Sequence, residues 1–253
     1  MSERWPMKLS VDKLEQIAAR TGVSEVLGAD GGPHRRIISA MDGSQIGQSR
    51  VFAGDGVVKK VVYHEIAVPT IGLDSHMIFA FTDEASPIPH WTFDSVVAFG
   101  NHAFHLDLIP RVDLGANLTY MDGVFGRVND AFEKGLQQEG LSEAAIGPRQ
   151  RAVMSPWMLA YRVDEELYPT IDVHVQAYLD AWFEMVENGV GEDVEASVDA
   201  ARVAERDREN RAMIFSRAVD AVWDQITPLM GMEQSEQLRL DLVDNTVEPA
   251  ASA

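Results

Sequence analysis

The stretch at 92–110, TFDSVVAFGNHAFHLDLIP, sets two aspartates and histidines into otherwise apolar strand sequence. Gly100-Asn101 fits a two-residue hairpin turn with positive φ. That register puts Phe99 opposite His102, Val97 opposite Phe104, Val96 opposite His105 and Asp94 opposite Asp107. Strand side chains alternate between faces, so Asp94, Val96, His105 and Asp107 are expected on one face. Directly opposite residues have Cβ atoms about 5 Å apart. Two carboxylates and an imidazole would then cluster on an apolar sheet. Like charges that close raise one carboxyl pKa and hold a proton near neutral pH, as a general acid requires. The same residues allow a plainer reading, in which Asp107 bonds to a neighbouring loop and His105 is a satisfied core histidine.

Other chemistries fit less well. His102 and His105 are three apart on a strand and point to opposite faces, so they do not share a metal. His64-Glu65 and His76 complete no ligand spacing, and no metal is expected. There is no G-x-S-x-G elbow and no dinucleotide fingerprint. The glycines of GADGGPHRR at 28–36 follow no strand and precede no apolar helix, against a phosphate-binding turn. The 253 residues include no cysteine, which removes disulfides and cysteine-ligated iron–sulfur clusters. Electrons for any redox step come from a partner or a bound cofactor. With 40 acidic against 21 basic residues and a net charge of −19, the chain repels phosphate backbones, and nucleic acid is not an expected partner. No apolar run approaches the ~20 residues of a membrane span, and residues 1–9 hold no apolar signal core. A soluble, cytoplasmic protein is the expectation.

The elements that must position these residues change character along the chain. Residues 10–22 read as a helix, capped by Ser10 and stopped at Gly22. From 37 to 109 the pattern is β, clearest at 57–68, 76–81, 93–100 and 102–109. The short turns favour an antiparallel meander. The second half reads as helical at 118–136, 164–187, 194–229 and 235–243. In 164–187 the residues Ile171, Val175, Tyr178, Leu179, Trp182, Phe183 and Val186 fall on one face. This order predicts a three-layer α/β/α sandwich with a central antiparallel sheet. It forms a single domain over 1–253, with residues 1–8 and 244–253 as disordered tails.

Four segments carry a resemblance. GLDSHMIFAF at 72–81 with PIPHWTFDSVVAFG at 87–100 looks like the paired central strands of the ferredoxin-dependent bilin reductase superfamily. LDLIPRVDL at 106–114 resembles its Asp-Leu-x-Pro segment. SPW at 155–157 resembles the Ser-Pro lead into the later helices of red chlorophyll catabolite reductase. ERDRENRAMIFSRAVDAVWDQITPLMG at 205–231 looks like the C-terminal helix of both groups. Overall, red chlorophyll catabolite reductase is the nearest in look, although it carries glutamate where Asp94 sits. The bilin reductases share the His/Asp pair better but lack the 111–122 segment.

The resemblance implies an enzyme that reduces a linear tetrapyrrole by sequential electron and proton transfers. The electrons come from reduced [2Fe–2S] ferredoxin and no cofactor is bound. It implies His76 and Asp94 as a facing proton-donating pair and Asp220 as a third acid reaching in from a helix. His105 and Asp107 become substrate neighbours. Arg111 and Arg162 are the candidates for the propionates of the ligand. Lys59, Lys60, Arg149, Arg151 and the arginines of 202–217 are candidates for docking an acidic ferredoxin. Two other functions fit the same features: a tetrapyrrole-binding protein without catalysis, and a reductase or isomerase of another conjugated ring.

Overall fold

The computed structural model describes residues 4–144 and 146–247. Its centre is an antiparallel sheet of nine strands. These are β1 (Ser24–Val26), β2 (Arg35–Ile38), β3 (Gln45–Ala53), β4 (Val58–Val68), β5 (Leu73–Thr82), β6 (His90–Ala98), β7 (Asn101–Ile109), β8 (Leu141–Glu143) and β9 (Leu159–Val163). The order across the sheet is β1-β3-β4-β5-β6-β7-β9-β8, and β2 also pairs with β3. From β3 to β7 sequence neighbours are spatial neighbours, the meander that the short turns demand. The ladder continues through β9 and β8, two short strands inside the half of the chain that reads as helical. At three and five residues they are too short to show a clear alternation.

Helices lie on both faces, so the three-layer α/β/α arrangement with a central antiparallel sheet is as expected. One face is covered by α1 (Trp5–Thr21), by a loop carrying α2 (Leu118–Tyr120) and α3 (Asn129–Gln137), and by α5 (Asp172–Asn188). The predicted stripe of α5 is buried here through Val175, Tyr178, Leu179, Trp182 and Phe183. Trp91, Phe93, Ile78 and Leu106 meet it from the sheet. Burying so many large apolar side chains, at about 25 cal/mol per Å², makes this layer the main source of stability.

The other face is covered by α7 (Ala200–Ile214), α8 (Val222–Met230) and α9 (Met232–Val243), which pack Ile214, Phe215, Trp223, Met230, Leu238 and Leu242 on Val62, Phe79 and Phe81. Short helix α4 (Pro148–Val153) lies between β8 and β9 in the chain, and α6 (Glu192–Ala196) between α5 and α7. Among the described residues, no helix is long and apolar enough to cross a membrane.

Several boundaries differ from those expected. Helix α1 begins at Trp5, with Pro6 buried in its first turn, where proline costs no hydrogen bond; residues 5–8 are therefore helix and not a tail. At the other end, the carbonyls of Asp244 and Thr246 accept from the buried Lys60 ammonium at 2.9 and 3.2 Å, so 244–247 are held against the sheet. Residues 1–3 and 248–253 lie outside the described ones. The expected helix at 194–229 is three helices. Asp199 caps α7 through Ala201 and Arg202 N–H, and a turn at 215–221 separates α7 from α8. The expected helix at 118–136 is likewise broken, by a π-turn at Met121–Phe125 and a 3-10 turn at Gly126–Val128.

Candidate active site between the sheet and the C-terminal helices

Strand alternation decides which side chains enter the cleft under α7–α9. On β6 the even positions His90, Thr92, Asp94 and Val96 face it, while Trp91, Phe93 and Ser95 face the α1–α5 layer. The β6–β7 hairpin turns at Phe99-Gly100, both with positive φ (51° and 79°), and Ala98 pairs with Asn101. This is one residue earlier than the Gly100-Asn101 turn read from the sequence. Each cross-strand pair therefore shifts by two positions, which preserves the face and changes the partner. Asp94 stands opposite His105, and Asp107 stands opposite Thr92. Asp94, Val96, His105 and Asp107 share the cleft face, as the alternation predicts.

Asp94 and His105 are joined directly. Nδ1–H of His105 donates to Asp94 Oδ2 at 3.2 Å. His105 is buried and the Asp94 side chain is one-third exposed. The remaining polar atoms of the pair, Asp94 Oδ1 and His105 Nε2, are buried with no hydrogen-bond partner. A buried polar atom left unpaired costs about 1–3 kcal/mol, and two of them on adjacent side chains mark a place built to meet something else. Asp220 comes from the 215–221 turn, not from within a helix, and its carboxylate accepts Val222 N–H at 3.0 Å. Burial pushes Asp220 up to about 6. The Val222 bond and His105 pull it down, while Asp94 pushes it further up. His105 is also raised: burial disfavours the charged ring, but the Asp94 bond and the charges of Asp94, Asp107 and Asp220 outweigh it. A carboxyl lifted by burial and an imidazole lifted by its acidic neighbours thus sit together beside Asp94, the kind of perturbed pair an acid–base site needs.

The other expected site residues separate. His76 lies on the opposite face of the sheet, because the β5 residue opposite Asp94 is Met77, while His76 is opposite Ser95. There its Nδ1 accepts from Tyr63 Oη at 2.7 Å and its Nε2–H donates to Asp74 at 3.1 Å. Asp74 also binds Arg4. Burial works to raise Asp74, but the His76 and Arg4 bonds prevail and hold it at about 2. His76 is a saturated core histidine and does not face Asp94. Asp107 is fully buried and accepts Ser155 N–H at 2.8 Å, Leu108 N–H at 2.9 Å and the Ser155 hydroxyl. It is tied to the Ser-Pro-Trp turn and unavailable to a ligand, which is the plainer of its two readings.

Arg111 is also committed. Nε donates to Ser86 O at 3.1 Å, Nη2 to Asp83 O and Glu84 O at 3.2 and 2.8 Å, and Nη1 to Asp207. Only Arg162 keeps its proposed freedom. On β9 it pairs with Ala103, so it lies on the cleft face one row from His105, exposed at the open end. Of the cations considered for docking, Lys60 and Arg211 are buried.

A second polar group lies under α7. Asp207 accepts His90 Nε2–H at 2.6 Å, Arg111 Nη1–H and Arg211 Nε–H at 3.1 Å. The Arg211 guanidinium lies 3.8 Å over the Phe81 ring. Burial, then Arg111, drives His90 down to about 3, so its ring is neutral and donates through Nε2. The Asp207/Arg211 spacing of i,i+4 was the available sequence signal, but such pairs are common on solvated faces. Here the group pins α7 to β6 and so fixes one wall of the cleft.

No family model matches this sequence, and no curated protein matches it. Among solved structures, the chain is similar to phytochromobilin synthase from tomato, crystallised in complex with biliverdin. The TM-score is 0.71 at 15% identity, over 96% of this chain and 85% of the other. The chain therefore has the fold of phytochromobilin synthase.

Proposed function

We propose that the chain reduces a linear tetrapyrrole bound between the sheet and α7–α9. One observation carries this: in the fold of an enzyme crystallised with biliverdin, Asp94 and His105 hold buried, unpaired polar atoms on the same sheet face, beside Asp220. A linear tetrapyrrole is large, flat and mostly apolar, and clefts between layers suit such ligands. Met77, Val96 and Ala103 offer it an apolar floor, and Arg162 meets a propionate. Protons come from the Asp94–His105–Asp220 group. Electrons arrive singly from a reduced [2Fe–2S] ferredoxin, in keeping with a chain that has no cysteine. The fold neighbour makes biliverdin the first substrate to test; red chlorophyll catabolite, from the sequence resemblance, is the second.

The test is an absorbance titration with each tetrapyrrole, followed by turnover with reduced ferredoxin. Stoichiometric binding and loss of the long-wavelength absorbance on reduction are expected. Binding without turnover would leave a carrier and overturn the enzyme reading.

A further inference from the structure

We infer that His105 is the proton donor of this site, delivering through Nε2 while Asp94 holds its Nδ1–H. The inference rests on the reductase reading above and deepens it. The resemblance alone pairs Asp94 with a histidine of β5, but that histidine is on the far face and both its ring nitrogens are bonded. The imidazole that meets Asp94 is supplied by β7 instead.

Four observations converge on this. Asp94 holds Nδ1, which fixes the ring orientation. On β7, His105 shares the face of Ala103 and Asp107, and Nε2 is its ring nitrogen farther from the backbone. It is buried and has no partner. The charges that act most on the ring are acidic, Asp94 on β6, Asp107 on β7 and Asp220 from the 215–221 turn, while the Arg162 cation stands on the same face one row along β9. Directly across β9 the ring faces Ala160, and beyond Asp94 on β5 stands Met77; neither donates nor accepts protons. A ring so placed holds its proton more tightly than a free imidazole and has one N–H to give.

The step balances simply. One electron from the external one-electron donor enters the tetrapyrrole. The His105 Nε2–H bond breaks and a ligand C–H or N–H bond forms. The neutral imidazole keeps its Nδ1–H on Asp94 Oδ2. Asp220, whose carboxyl is lifted by burial to about 6, or solvent returns a proton to Nε2.

The experiment has two arms. Imidazole NMR across pH, on the whole unliganded protein, should show His105 titrating above an ordinary histidine, with its pKa falling in Asp94→Asn. Single-turnover reduction of bound biliverdin should be about 10²–10⁴-fold slower in His105→Gln, with biliverdin affinity nearly unchanged and with His76→Gln still active. In the wild type the rate should fall as pH rises through the His105 pKa read by NMR. An ordinary His105 titration that ignores Asp94→Asn, or wild-type turnover in His105→Gln, overturns the assignment. A raised, Asp94-dependent His105 titration with no reduction of any tetrapyrrole by the wild type overturns the reductase reading and leaves the His105–Asp94 pair standing.

Discussion

Ser155 donates both its backbone N–H and its hydroxyl to Asp107, 48 residues earlier in the chain. This joins the turn before β9 to the middle of β7. Burial lifts Asp107 from 3.8 to about 6, against the pull of His105 and the Ser155 bonds. The folded protein thus binds a proton that the unfolded chain has already released, so stability falls as pH rises between about 4 and 6. In Ser155→Ala the hydroxyl bond is lost, Asp107 moves further up and the decline extends to higher pH. The cost at pH 7 is expected at about 1.5–3 kcal/mol. Urea unfolding from pH 4 to pH 8 checks it; parallel curves for the two proteins would contradict the coupling.

Asp94→Asn keeps the shape of the side chain and removes its charge. Tetrapyrrole affinity should change little, since one contact among many is altered. Reduction of the bound ligand should slow by about 10²–10⁴-fold or stall at a radical. Stopped-flow absorbance with reduced ferredoxin reads both. A variant that turns over at the wild-type rate would leave Asp94 a structural carboxylate.

Asp207 is the sole carboxylate that Arg111 and Arg211 bind through the hydrogen bonds described. Asp207→Ala strands two buried guanidiniums. Breaking a buried ion pair on one side costs about 3–5 kcal/mol, and guanidinium-chloride unfolding should show a loss of that size. A loss below about 1 kcal/mol would mean that the cations find water or other acceptors.

Phe99 occupies the first position of the β6–β7 turn with φ 51° while 78% exposed. A left-handed conformation costs an ordinary L-residue about 1–2 kcal/mol, and Phe99 packs too little to offset it. Phe99→Asn creates the Asn-Gly pair that two-residue turns of this hand favour. It should raise stability by about 1 kcal/mol, measured as a shift in denaturation midpoint. A destabilised variant would show that the ring makes contacts that matter in solution.

What the sequence revealed followed strong periodicity. The α5 stripe and the faces of β6 and β7 were legible because period 3.6 and period 2 leave many residues in agreement. The face assignment of Asp94 and His105 withstood an error in turn position, because a two-residue register shift preserves parity. His76 lies on the far face from Asp94 for the opposite reason: likeness of a segment carries no register, and one residue along a strand reverses the face. Strands β8 and β9 were hidden by their length. The break at 215–221 holds neither glycine nor proline, so nothing local marked where Asp220 leaves the helix.

The two helical layers cover the sheet unequally. Trp182, Phe183, Tyr178 and their neighbours bury one face, while the other ends in partly exposed residues around Asp94 and Arg162. Amide exchange should divide the molecule accordingly. The α1–α5 layer and the inner strands would open only with global unfolding, whereas α8 and the turn carrying Asp220 would open at lower free energy. A flat, bulky guest could then be admitted by local loosening of one layer while the rest of the molecule stays folded.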